Sequence, residues 1–171
     1  MNIRKPLFLL LLFVGACSTD SHSPSTEDVG QWQQTAEKLT TLLKEEKFRE
    51  TENMTKIKLA ELLVNVNDTE KNDTLIKYAR QILSISYYNY LKSKQFRSGI
   101  EYMDSLSQIP FIQENCKHEL LSARASMHQM YGDNEQAIEL ANEYLQLPDY
   151  EDTDRFIPQA EIISGVYIYS G

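Results

Sequence analysis

Between residues 112 and 130 the apolar side chains Ile112, Cys116, Leu120, Ala123, Met127 and Met130 advance by four, four, three, four and three positions. An α-helix brings such positions onto one side, whereas a strand would scatter them over both faces. The spacing predicts one continuous helix with a buried stripe. Its end is marked as well. Gly132 can adopt the left-handed conformation that closes a helix, and Asp133 with Gln136 three residues on offers a capping box for the next one.

The same period runs through the rest of the chain. A first helix is predicted from Val29, Trp32, Ala36, Leu39 and Leu43, with Glu27 and Asp28 favourable to its amino end. A second carries Ile57, Ala60, Leu63 and Val66, with a denser apolar surface at Leu59 and Leu62, and the polar segment 65–72 reads as a loop. A third starts at Asp73, an N-cap residue, and runs through Leu75, Ala79, Ile82, Leu83, Tyr87 and Tyr90. A fourth holds Phe96, Ile100, Met103 and Leu106 and ends before Pro110. Beyond Gly132, a sixth helix places Ala137, Ile138, Ala141, Tyr144 and Leu145 on one side and stops before Pro148. After an acidic loop, 149–154, a seventh carries Phe156, Ala160, Ile163 and Tyr167, with Pro158 near its first turn. No alternating strand pattern competes, glycine is scarce, and Leu, Glu, Lys and Gln are plentiful, so the expected fold class is all-α.

The amino end is of a different kind. Arg4 and Lys5 precede an apolar run at 7–14, followed by the small residues Gly15 and Ala16. The run is shorter than the roughly 20 residues a membrane-spanning helix needs, so it reads as the core of a secretory signal. The tetrad Val14-Gly15-Ala16-Cys17 resembles a bacterial lipobox. That resemblance implies cleavage before Cys17 and lipid, a diacylglycerol with palmitate-like chains, on its thiol. The alternative is an ordinary secretory signal with a chance cysteine. Each buried methylene is worth about 0.8 kcal/mol, and more than one chain makes anchoring stable. The polar stretch 18–26 reads as a flexible tether. The expected layout is a signal peptide at 1–16, the lipidated Cys17 and tether at 17–27, and a helical repeat domain at 28–171. The expected location is the bacterial cell envelope, lipid-anchored on the periplasmic or surface face of a membrane.

The segment Tyr131-Gly132-Asp133-Asn134-Glu135-Gln136-Ala137-Ile138-Glu139 resembles the turn and second helix of a tetratricopeptide repeat. In that family a glycine-acid turn joins two antiparallel helices, and a small residue early in the second lets the pair approach; Gly132, Asp133 and Ala137 match those positions. Phe96-Arg97-Ser98-Gly99-Ile100-Glu101 occupies the equivalent place one unit earlier. Gly99 and Ala137 lie 38 positions apart, against a usual repeat of about 34. The resemblance covers 73–171 and departs from the pattern at His128, at Tyr144 and at Lys94-Gln95. It implies antiparallel helix pairs stacked as a short α-solenoid, with a degenerate leading pair before Asp73. Residues 165–171 look like the first helix of a further unit, so the chain reads as the leading part of a longer protein. Exported lipoproteins of this kind resemble envelope proteins or sensor regions of Bacteroides-like bacteria.

In that family the first helix of each pair lines the concave side. Carried over on the Gly132 and Ala137 alignment, the binding face would hold Gln81, Ser84 and Tyr88 from one unit and Glu119, Ser122, Ser126 and Gln129 from the next. Plain solvated surface is the competing reading. Tyr88 is also the sharper candidate in the cluster Tyr87, Tyr88 and Tyr90, whose bland reading is packing between helices. Asp73-Thr74-Leu75 and Asp104-Ser105-Leu106 resemble a short acceptor motif for O-glycosylation.

Charge and chemistry narrow the function. The chain has 17 basic and 25 acidic residues, and loss of Arg4 and Lys5 would leave a net charge of about −10, which disfavours nucleic acid. His22 falls in the tether, and His118 and His128 sit ten residues apart, about 280° around an ideal helix. Glu114 and His118, four apart, could share a metal but have no third ligand at metal-site spacing. Cys116 reads as a buried small hydrophobe and not a reactive thiol. No phosphate loop, nucleophile elbow or zinc-protease motif occurs. No catalytic residue, metal or cofactor is expected, so the chain reads as a non-enzyme. The leading expectation is a membrane-anchored interaction module for a protein or peptide partner. The alternatives are the sensor input region of a longer signalling protein, such as a sensor histidine kinase, and a nutrient- or glycan-capture lipoprotein.

Overall fold

The computed structural model describes residues 26–64 and 73–147, with side chains from residue 30 onward. Seven helices are described: α1 (Thr26–Lys44), α2 (Phe48–Val64), α3 (Asp73–Lys92), α4 (Phe96–Leu106), α5 (Pro110–Asn115), α6 (Lys117–Tyr131) and α7 (Asn134–Leu145). No strand occurs among the described residues, and the fold is all-α. Val66, Cys17 with residues 18–25 of its tether, the 65–72 segment and the expected helix at Phe156, Ala160, Ile163 and Tyr167 lie outside the described residues; Thr26 and Glu27, expected to end the tether, instead open α1 because the helix starts earlier than the apolar stripe does.

Three of the connections are one backbone device used three times. Glu46, Lys94 and Gly132 have φ of 58°, 58° and 94°, and each lies two residues before the next helix begins. At each, one amide reaches back five residues: Lys47 N–H to Leu42 O at 3.0 Å, Gln95 to Tyr90 at 3.0 Å and Asp133 to His128 at 2.9 Å. The preceding amide reaches back three residues: Glu46 to Leu43 at 3.3 Å, Lys94 to Leu91 at 3.2 Å and Gly132 to Gln129 at 3.0 Å. This is the Schellman arrangement, which satisfies carbonyls that a helix end leaves without partners. Asp133 then opens α7 by accepting the Gln136 N–H on its carboxylate at 3.3 Å.

The central element is α3, which packs against α1, α2, α4 and α6. Helices buried all round lose the polar face of a surface helix. In α3 the buried set accordingly runs from Leu75 through Tyr90 and includes Ser84, Ser86 and Asn89. Trp32 of α1 stacks near Tyr78, and Tyr90 near Tyr102 of α4, with ring centroids 6.1 and 5.8 Å apart. Gly99 lets α4 approach closely: a Cβ there would lie 2.6 Å from Met127 Sδ and 2.9 Å from Tyr90 Cβ. A larger core joins α1 to α6. A smaller one, from Leu121, Ala125, Ala137, Leu140, Ala141 and Tyr144, joins α6 to α7.

Three expectations from periodicity need correction. In α2 the inward face is Thr51, Thr55, Leu59 and Leu62, not Ile57 and Ala60. Ile57 is 56% exposed and Ala60 is exposed, while Leu63 is half-buried. The threonines can be buried because their hydroxyls donate within the helix, Thr51 to Lys47 O at 3.0 Å and Thr55 to Glu52 O at 2.9 Å. The helix predicted across 112–130 is two helices, α5 and α6, interrupted at Cys116 with φ −126° and ψ 24°. The stripe nevertheless survives the break: Ile112, Cys116, Leu120, Ala123 and Met127 are all buried in the larger core. Its last member, Met130, is 53% exposed, as is Leu145 at 54%, and Leu140 takes the inward place on α7.

Candidate functional site

The candidate face lies where α3 runs beside α6. Arg80 pairs with Glu119, Nε to Oε1 at 3.6 Å, and the hydroxyls of Tyr87 and Ser126 share a hydrogen bond at 2.8 Å. Both pairs are 39 positions apart, so the two helices keep one register along this seam. Of the seven residues expected on the concave face, Ser84, Glu119, Ser122 and Ser126 are buried, and Gln81, Tyr88 and Gln129 keep partial exposure. Ser84 donates to Arg80 O at 2.9 Å and Ser122 to His118 O at 2.8 Å. Burial of a hydroxyl demands such a partner, and the preceding turn of a helix supplies it. Tyr88 stands against Tyr87, centroids 5.0 Å apart. The accessible polar groups of the face are therefore the two glutamines and Tyr88.

Sequence reasoning did not single out Arg80 or Asn115, and it read Tyr87 as packing between helices; the three organise the seam. Arg80 also donates from Nε to Asn115 O at 3.0 Å. Charged residues at helical spacing read as solvated face, so the sequence held no sign that Arg80 turns inward. Asn89 was likewise passed over. It is buried in α3, and its Oδ1 has no hydrogen-bond partner among the described residues.

Burial and hydrogen bonds shift four titratable groups near the core, Cys116, Tyr102, Tyr90 and Glu52. Burial pushes the Cys116 thiol up to about 12, with the neighbouring Glu119 charge adding to the shift; such a thiol does not form the reactive thiolate at neutral pH. Burial pushes Tyr102 up to about 12. Tyr90 is also raised, first by burial and then by its hydrogen bond to Glu52 Oε1 at 3.0 Å. For Glu52, burial acts upward, but hydrogen bonds from Lys56 and Tyr90 outweigh it and leave the carboxyl below its ordinary value. Lys56 Nζ lies 2.6 Å from Glu52 and 5.1 Å from the Tyr102 ring centroid. This cluster ties α2 to α3 and α4.

The histidines are placed apart. His118 meets Tyr144 edge-on at 5.7 Å near the start of α6, and His128 Nδ1 lies 3.1 Å from Asp133 Oδ2 at its other end. Among the described residues no group of three His, Cys, Asp or Glu is arranged to hold a metal. No described helix is long and apolar enough to cross a membrane. Of the two short acceptor-like motifs, Thr74 is half-buried in the first turn of α3; Ser105 is exposed and donates to Tyr102 O at 2.6 Å. Asp104 beside it pairs with Arg124 Nε at 2.7 Å. Comparison with protein-family models, with curated proteins and with solved structures finds no match to this chain.

Proposed function

We propose that this chain is a lipid-anchored protein of a bacterial envelope, acylated at Cys17, whose helices pair antiparallel and stack as a short tetratricopeptide-like solenoid that binds a peptide or protein segment. The observation that carries the reading is the turn built three times, at Glu46, Lys94 and Gly132, each closing one helix of a pair and opening the other. Contacts within the last pair support it. Lys117 at the start of α6 meets Glu143 near the end of α7 at 3.1 Å, and His118 meets Tyr144. The pairing of α1 with α2 rests on the same turn, which supports reading them as a repeat unit before Asp73.

The accessible part of the α3 and α6 face, Gln81, Tyr88 and Gln129, is the surface assigned to the partner. Glutamines present both a donor and an acceptor to a peptide backbone, and a tyrosine ring adds apolar area with a polar tip. The test is a photo-crosslinking residue placed singly at Tyr88, at Gln129 and, as a control on the outer face, at Ile57 in the native envelope. Reproducible adducts of one size from Tyr88 and Gln129 but not from Ile57 are expected. Adducts from Ile57 alone, or none from either face position, would sink the proposed surface. The anchor is tested separately: Cys17→Ser should move the protein from the membrane to the soluble fraction, and an unchanged distribution would exclude lipid on Cys17.

A further inference from the structure

We infer that Arg80 is a latch that holds the α5–α6 break open, and that residues 110–131 have a second arrangement as one unbroken helix. The sequence favours continuity here. The stripe from Ile112 to Met127 keeps helical spacing straight through Cys116, and all five of its residues are buried on the same core. Neither proline nor glycine lies at the break, the usual causes of an interruption. Helical bonding resumes on each side of it, Cys116 N–H to Ile112 O at 2.8 Å and Leu120 N–H to Cys116 O at 3.0 Å.

Three carbonyls leave the helical pattern at the break, those of Gln113, Glu114 and Asn115, and another helix captures the last of them, the Asn115 carbonyl. In an unbroken helix it accepts from the amide four residues on, that of Glu119. In this structure it accepts the Arg80 Nε–H at 3.0 Å, from a different helix. A hydrogen bond from a charged donor is stronger than the neutral backbone bond it displaces. The same guanidinium lies 3.6 Å from the Glu119 carboxylate, so one side chain holds both one carbonyl of the interrupted ladder and the residue whose amide would have bonded it. Arg80 is mostly buried, with 14% of its side chain exposed, and Glu119 has 8%; little water competes for either contact. Asn115 is itself fixed, its Nδ2 donating to Phe111 O at 2.9 Å. The bend is thus imposed across the seam by α3, and removing the guanidinium leaves a segment whose own pattern is helical throughout.

The experiment is amide hydrogen exchange on the full-length protein in detergent micelles, followed in peptides covering 113–120 and α3. Two variants remove the latch without stranding a buried carboxylate, Arg80→Met with Glu119→Met, and Arg80→Leu with Glu119→Gln. Replacing a buried ion pair by apolar residues of similar volume is often neutral to stability. Glu119→Gln alone, which keeps Arg80 on the Asn115 carbonyl, is the comparator. Exchange of the Lys117 to Glu119 amides should slow by about fivefold or more in the double variants, the effect of one gained backbone hydrogen bond, and stay at the wild-type rate in the comparator. Unchanged or faster exchange in both double variants, whether or not α3 keeps its protection, overturns the inference. So does equal slowing in Glu119→Gln, which would assign the bend to the carboxylate.

Discussion

Gly99 is the residue where the packing leaves no room for a methyl group. Met127 Sδ, 2.6 Å from the position of an added Cβ, sits in a flexible side chain, but Tyr90 Cβ at 2.9 Å is fixed to the α3 backbone. Overpacking of this kind costs about 1–3 kcal/mol, and alanine returns about 1 kcal/mol through its better helix propensity. Gly99→Ala should therefore lower stability by up to about 2 kcal/mol in urea unfolding; a raised midpoint would mean that α4 can move off α3. Glu52 sets an acid limit by a different route. Its folded value lies below its unfolded one, so its stabilising effect is present above the ordinary carboxylate value and fades as pH falls through the folded one. Tyr90→Phe removes one of the hydrogen bonds responsible and should cost about 1 kcal/mol at pH 7, with the gap to wild type narrowing in acid. A gap that widens on acidification would refute that assignment. The candidate face was legible only in part at this scale. The repeat resemblance put Ser84, Ser122 and Ser126 on one face, but a matched repeat position does not tell a solvated hydroxyl from one bonded to the turn behind it. The difference was made by α3 lying against α6, which no local pattern encodes.

At the scale of elements, the three Schellman turns differ in how well their residues suit them. Gly132 takes a positive φ without a Cβ penalty, whereas Glu46 and Lys94 take theirs with one. The left-handed conformation costs a side-chain-bearing residue roughly 1–2 kcal/mol, and glycine's extra unfolded-state freedom offsets roughly 0.4–1 kcal/mol of the gain from replacing it. Lys94→Gly and Glu46→Gly should each raise stability by about 0.5–1 kcal/mol, while Gly132→Ala should lower it. Urea midpoints for the three variants check this, and a loss of stability in both glycine variants would show that the lysine and glutamate side chains hold the turns in some other way. These turns also explain what the sequence concealed. The glycine at 132 announced the last turn; of the first two, which carry a charged residue at the same position, the one at Lys94 was read as a departure from the repeat and the one at Glu46 was not read as a turn. Yet Lys44, Phe48 and Arg49 recur as Lys92, Phe96 and Arg97, each 48 positions on, and this pattern could have found them. The helices themselves were legible from periodicity. The face of α2 was not, because threonine counts as polar until its hydroxyl is seen bonded to its own helix. The α5–α6 break was hidden because Cys116 fits the stripe whether the helix is continuous or bent.

At the scale of the whole molecule, the two cores meet in one helix. Leu120, Ala123 and Met127 of α6 belong to the larger core, and Leu121 and Ala125, from the adjoining side, belong to the smaller. Among the described residues α7 packs chiefly on α6, whereas α3 is engaged by four other helices. A helix held chiefly by one neighbour can open while the rest stays closed. Leu140 of α7 and Leu83 of α3 are both buried leucines, and truncating either to alanine removes the same chemistry at a cost of about 2–5 kcal/mol. The consequences should differ in extent. Leu140→Ala is expected to speed hydrogen exchange in α7 and the adjoining side of α6 while α1 to α4 keep wild-type protection. Leu83→Ala should lower protection in every helix, because no described element can open the α3 core without parting from it. If Leu140→Ala instead weakens all helices equally, the smaller core is no separate unit, and the described helices unfold as a single cooperative body.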